Sequence, residues 1–335
     1  MNEERRSPRR WRAAAGGAAG LAILVIGAFS PAAAQDGRLI IVNKSASTIS
    51  IIDVSTRREV ATVPTGFAPH EVAVSADGRT AYVSDYGTGP RAGHTVTIID
   101  LDAAERVGVI DLGEHSRPHG ITVAPDGTVW VTTEGSRHVL QLDPKRRRVL
   151  RAIETGQEVT HMVVVAAERG RVYTANIGSG TVTAIDAAAE RILTQIRTGA
   201  GSEGIDIAPD GGHVYVVNRA AGTLSEIDVG TNRVTRTLDV GDFPIRVKVR
   251  PDGREALVSN ARGNEIVAVD LDRWAVVRRL PVGQMPVGIL ITPDNRTAFV
   301  ANTQTDEISV VDLEAWRVVG TIIAGEEPDG MAWAG

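Results

Sequence analysis

Short apolar runs recur along this chain, each ended by a polar turn. The first is Arg38-Leu39-Ile40-Ile41-Val42-Asn43, followed by Thr48-Ile49-Ser50-Ile51-Ile52-Asp53 and Glu59-Val60-Ala61-Thr62-Val63. Alternating, β-branched runs between Asn, Asp, Gly and Ser clusters predict short strands joined by tight turns. Residues 35–335 carry no helical period.

The pattern also repeats on a longer scale. Pro69-His70-Glu71-Val72 returns as Pro118-His119-Gly120-Ile121, Thr160-His161-Met162-Val163, Ser202-Glu203-Gly204-Ile205, Pro244-Ile245-Arg246-Val247, Pro286-Val287-Gly288-Ile289 and Pro328-Asp329-Gly330-Met331. The second residue of each falls at 70, 119, 161, 203, 245, 287 and 329, a step of 42 once an early insertion is passed. An Asp closing the third strand recurs at 53, 100, 143, 186, 228, 270 and 312, and a Gly after the fourth at 66, 113, 156, 199, 241, 283 and 325. Seven copies of each marker predict seven four-stranded units.

One four-stranded sheet cannot bury both faces, so the units must stack and the array must close. Radial closure predicts an all-β, seven-bladed β-propeller of antiparallel blades. The first unit lacks its inner strand, and the chain ends on a spare one at 330–334, so one blade is expected to be shared between the two ends. Gly87–Gly93 is expected to lengthen one loop, and Glu114–Arg117 a connection, both on the face where the inner strands begin.

Composition changes the picture mainly at the N-terminus. Arg5, Arg6, Arg9, Arg10 and Arg12 precede an apolar run from Leu21 to Phe29 and an Ala-rich A-x-A site, so residues 1–34 read as a removed signal peptide, with the propeller in 35–335. The run is too short to span a membrane, so no span is expected after cleavage, and the protein is expected to be periplasmic or secreted. Without residues 1–34 the 36 basic and 41 acidic residues become 31 and 39, a net −8. An acidic chain with 4% aromatic residues makes nucleic acid an unlikely partner, because nucleic-acid binding wants a basic footprint. With no Cys, neither a disulfide nor a thiolate metal site is possible.

The strand motifs Ala81-Tyr82-Val83-Ser84-Asp85, Val172-Tyr173-Thr174-Ala175-Asn176 and Phe299-Val300-Ala301-Asn302, the Thr95–Asp100 strand and the Pro-Asp-Gly turns at 125–127, 209–211 and 251–253 resemble those of the YVTN-type, YncE-like β-propeller repeat family. The resemblance covers essentially all of residues 38–335. It implies an exported seven-bladed propeller; related propellers include lactonase-like enzymes, lyases, metal-handling proteins and interaction scaffolds. Fold does not choose among these.

Candidate chemistry comes from reading the repeat around the ring. Asp329, His70, His119, His161 and Glu203 occupy one position on five consecutive blades, and Ile245 and Val287 occupy it on the other two. Equivalent positions converge at the mouth of the central channel. Three imidazoles and two carboxylates there are a candidate divalent-metal set, for Zn²⁺ or Cu²⁺, with Glu203 and Asp329 as candidate catalytic groups. The same His residues could instead hydrogen-bond a neighbouring blade. Glu71, Asp85, Tyr86, Arg117, Arg219 and Arg246 are candidate ligand-binding rim residues, along with Asn176 and Asn218. Four glycines one position on, at 120, 204, 288 and 330, suggest a crowded backbone.

The first expectation is a binding or scaffold propeller presenting its channel mouth to a small molecule, metal ion or periplasmic protein. The alternative is a metal-dependent hydrolase or lyase, lactonase-like, using His70, His119 and His161. Single-stranded DNA binding ranks third.

Overall fold

The computed structural model describes residues 37–335; the segment read as a signal peptide lies outside them. Seven four-stranded antiparallel sheets make up the ring, each running from an inner to an outer strand. Blade two is Pro69–Val74, Thr80–Gly87, Ala92–Asp100 and Glu105–Asp111, and the pattern repeats through blade seven, which ends with Arg317–Ile323. Blade one is composite. Pro328–Ala334 pairs antiparallel with Arg38–Asn43, so the last strand of the chain is the innermost strand of the first sheet.

Burial explains the sequence pattern. The second and third strands lie between neighbouring sheets, so both of their faces are apolar, as in Leu39 to Val42 and Ala298 to Ala301. The fourth strands are ring edges and alternate; Arg148–Glu154 exposes every other residue and carries charge at both ends, which discourages edge-to-edge pairing. The apolar clusters bridge blades. Ile40 and Ile49 of blade one pack with Val72, Val83 and Ile99 of blade two.

The recurring Asp is a turn device. Asp53, Asp100, Asp143, Asp186, Asp228, Asp270 and Asp312 each accept the backbone N–H three residues on, at 2.7–3.0 Å. The Gly87–Gly93 insertion is not a loose loop. Gly87 pairs with Ala92, and Thr88 and Arg91 close the turn with reciprocal backbone bonds of 2.9 and 3.1 Å. It extends a hairpin. Among the described residues, the only helical piece is the 3₁₀ turn Ala167–Arg169, and no helix is long and apolar enough to cross a membrane.

Candidate functional site

The inner strands share two backbone features that aim side chains into the channel. The residue before the first strand position has a left-handed φ in every blade: Ala68, Arg117, Val159, Gly201, Phe243, Met285 and Glu327, with φ between 47° and 78°. Non-glycine residues hold that conformation only when their surroundings enforce it. One or two residues later the ladder slips by one in all seven blades, so that His70 and Glu71 together face Ser84, and His119 and Gly120 together face Thr132. A bulge of this kind frees its residue from the pleat and re-aims it. Here it turns the ring residue toward the axis.

The ring residues meet in one pocket of about 310 Å³, lined by the polar His70, Tyr86, His119, Glu134, His161, Glu203, Arg219 and Asp329 and by the apolar Val159, Ile177, Ile245 and Val287, with Met162 and Arg246 below. The three imidazoles form a row, with ring centroids 4.7 Å apart for His70 and His119 and 3.7 Å for His119 and His161. The outer two are clamped by carboxylates. His70 Nδ1 is 3.2 Å from Asp329 Oδ2, and His161 Nδ1 is 2.5 Å from Glu134 Oε1. His161 Nε2 also faces Glu203 Oε1 at 3.6 Å. His119, 5% exposed, has no hydrogen-bond partner for Nδ1 among the described residues.

These environments separate the proton affinities. Burial holds His119 well below the ordinary imidazole value, and the charges of His161 and His70 add to this, so it is neutral. Burial also disfavours the charged form of His161, but the Glu134 hydrogen bond and charge, then Glu203, outweigh it and raise its affinity. The partners respond oppositely. Burial pushes Glu203 up despite His161 and Arg219, whereas for Glu134 the contacts with His161 and Tyr86 overcome burial and hold it down. Asp329 is likewise held down against burial by His70. Tyr86, whose hydroxyl donates to Glu134 Oε2 at 2.6 Å, is pushed up to about 12 by burial and by that carboxylate. Arg219 Nη1 comes within 2.9 Å of Glu203 Oε2 but off the direction of a hydrogen bond, so this buried oxygen has charge compensation without a directed donor.

One residue position deeper, three side chains close the channel. Arg246 forms a buried ion pair with Glu71 across the ring and sets Nη1 3.4 Å from Met162 Sδ. The other four blades have glycine here. A Cβ on Gly120, Gly204 or Gly288 would lie 2.2–2.6 Å from the next blade's backbone carbonyl, so the crowding read from the sequence is real.

The structure thus gathers Asp329, His70, His119, His161 and Glu203 into one pocket with Tyr86 and Arg219. Arg117 sits at the rim, its guanidinium 5.3 Å over the Tyr86 ring. Glu71 and Arg246 form the floor, not the rim. Asp85, Asn176 and Asn218 are corrections to the rim set. Asp85 is buried and accepts hydrogen bonds from Gly66 N, Thr95 and Thr97, and the two Asn residues bond to Thr181 and Thr183 or Thr223 and Ser225. Their polar groups serve strand ends.

Glu134 was missed. It occupies the ring position Lys44, Tyr86, Glu134, Ile177, Arg219, Ala261, Thr303, a register that marks it around the ring just as the His70 register marks the imidazoles. His119, Glu134 and His161 each offer a ligand atom within 4.8 Å of the others, a group that could hold a metal ion.

The fold and pocket define a seven-bladed propeller with an imidazole–carboxylate cluster at its channel mouth. Residues 71–283, well over half of the chain, match the family described as phytase-like, esterase-like activity of phytase, and the chain belongs to that family. No curated protein matches it in sequence. Similar solved structures include hydrazine synthase from Kuenenia stuttgartiensis, 20% identical with TM-score 0.73, covering 82% of this chain and 92% of that one. The periplasmic gluconolactonase PpgL of Pseudomonas aeruginosa is 18% identical with TM-score 0.72, covering 89% and 99%. A Bacteroides fragilis protein assigned as a 6-phosphogluconolactonase is 15% identical with TM-score 0.73, covering 91% and 100%. At these identities the likeness is one of fold.

Proposed function

We propose that this protein is an exported, divalent-metal-dependent hydrolase that opens a small ester or lactone in the channel-mouth pocket. The observation that carries the reading is His119, a neutral, buried imidazole with an unpartnered nitrogen, set beside His161 and Glu134. An orphaned ring nitrogen in a polar pocket calls for a partner. Two imidazoles and a carboxylate suit Zn²⁺ or Cu²⁺, with His70, Glu203 and Asp329 beside them. Such an ion would polarise a substrate carbonyl and acidify water.

The chain's own groups divide the remaining work. Glu203, raised by burial, takes a proton from the attacking water and returns it to the leaving oxygen. Arg219 moderates the charge on that carboxylate. In the metal-free pocket Tyr86 and Glu134 hold the His161 ring through one continuous hydrogen-bond line. Ile177, Ile245 and Val287 receive the apolar part of the substrate and exclude water. The Arg246–Glu71 floor makes the pocket blind, so substrate and product share one mouth.

Support comes from the family's esterase-like description and, among the fold relatives, from a gluconolactonase and a protein assigned as a 6-phosphogluconolactonase. Export rests on the pattern of residues 1–34, and YVTN-type kinship on the strand motifs. The second reading is a binding propeller. It is favoured by the clamps already satisfying His70 and His161, which leave a single open imidazole.

The test is elemental analysis of protein purified without chelator or affinity metal, beside His119→Ala, followed by lactone and aryl-ester hydrolysis with and without chelator. Near-stoichiometric metal and turnover, both lost in a folded H119A, are expected. Metal without turnover would leave the binding reading standing; absence of both, even after zinc or copper loading, would sink the hydrolase.

A further inference from the structure

The residue opposite each inner-strand bulge is Val42, Ser84, Thr132, Ala175, Val217, Ser259 or Ala301. Four are apolar, and three carry a hydroxyl. Each hydroxyl accepts the bulge N–H released from the ladder: Glu71 N to Ser84 at 3.1 Å, Gly120 N to Thr132 at 2.9 Å and Arg246 N to Ser259 at 3.1 Å.

Thr132 does more than satisfy its own bulge. Its single hydroxyl hydrogen goes to the carbonyl of His161 in the next blade, at 2.5 Å, while its lone pair holds the amide that follows His119. One buried side chain therefore ties the backbones of both imidazole-bearing bulges, whose rings stand 3.7 Å apart. Gly120 makes the approach possible, since a Cβ there would lie 2.6 Å from that same carbonyl. Ser259 is a built-in comparison. It makes the same bridge between Arg246 N and Val287 O, at 3.1 Å to each, where no imidazole follows.

We propose that Thr132 is a positioning residue that fixes the separation of His119 and His161, and hence the metal affinity of the pocket. This rests on the metal-dependent reading above. Groups that orient metal ligands typically alter affinity about 10–100-fold when removed.

Thr132→Val keeps shape and volume but removes both hydrogen bonds, Thr132→Ser restores them, and Ser259→Ala loosens an equivalent bridge away from the cluster. Zn²⁺ titrations, with urea midpoints for each variant, are expected to show binding weakened about 10–100-fold in T132V, near wild type in T132S and unmoved in S259A. Unchanged affinity in a folded T132V, or equal weakening in S259A, would overturn the positioning role. Should T132V not fold, Thr132→Cys, with its weak donor, takes its place in the comparison. If wild-type protein binds no Zn²⁺, the hydrolase reading fails separately. The positioning role is then read from the His119 and His161 ring resonances by NMR: a shift confined to Thr132 variants upholds it, and unchanged resonances overturn it.

Discussion

The two arcs of the channel mouth stand on the same backbone and do different things with it. Blades one to five present Asp329, His70, His119, His161 and Glu203; blades six and seven present Ile245 and Val287. Both arcs share the left-handed residue and the bulge. The architecture is therefore generic, and only the side chain on each bulge decides whether the wall titrates. Burial costs nothing at Val287. At His119 it enforces neutrality, and at His161 it is overcome by Glu134. Equal geometry with unequal chemistry makes the arcs separable by mutation.

The largest effect should come where the arcs are tied together. Arg246 of the apolar arc pairs with Glu71 of the ionisable one, buried on both sides. Arg246→Met alone strands a buried carboxylate and should cost about 3–5 kcal/mol in urea unfolding, whereas R246M with Glu71→Leu should recover most of the loss. A double variant no more stable than R246M would show that the pair holds the ring by something other than mutual neutralisation.

A smaller effect should separate two imidazoles on the same arc. Glu134→Gln removes the main support for the proton on His161, so in metal-free protein that imidazole should lose its proton at lower pH, as read by NMR titration. Stability follows the signs of the shifts. The raised His161 stabilises the metal-free fold below its unfolded value of about 6.5, a gain lost as pH rises through its folded value. The depressed His119 works oppositely, its contribution present above about 6.5 and lost as pH falls. His119→Leu should flatten the acid side of the stability profile of metal-free protein, and E134Q the alkaline side. Identical profiles for the two variants would contradict the split.

The smallest effect belongs to the apolar arc. Val287→Ala removes two buried methyl groups and should cost about 1–2 kcal/mol while leaving Zn²⁺ affinity unchanged. An affinity change there would mean that the arcs are coupled through the ring rather than merely juxtaposed.

Much of this was legible in the chain because a propeller repeats its local rules seven times. Strand periodicity, the Asp turn, the number of blades and the closing strand each leave a sequence mark that local physics produces, and the recurrence of His70, His119 and His161 in register pointed to the pocket. Asp85 and Glu134 show where reading stopped. They are neighbours of equivalent residues at the end of a second strand, Asp85 aligning with Thr133. Yet Asp85 turns into the blade toward Thr95 and Thr97, and Glu134 turns out to His161. Alternation of faces explains the difference only once the strand end is fixed.

The sequence by itself determined the ring, its closure and which residues share a level. Hydrophobic period and turn chemistry act within a few residues and are written in order along the chain. Only the tertiary structure decided that Arg246 meets Glu71 from 175 residues away, that Thr132 reaches the next blade, and that His119 Nδ1 is left without a partner among the described residues while its neighbours are clamped. Those outcomes depend on distances across a closed channel, and ring closure sets such distances only when every blade is in place.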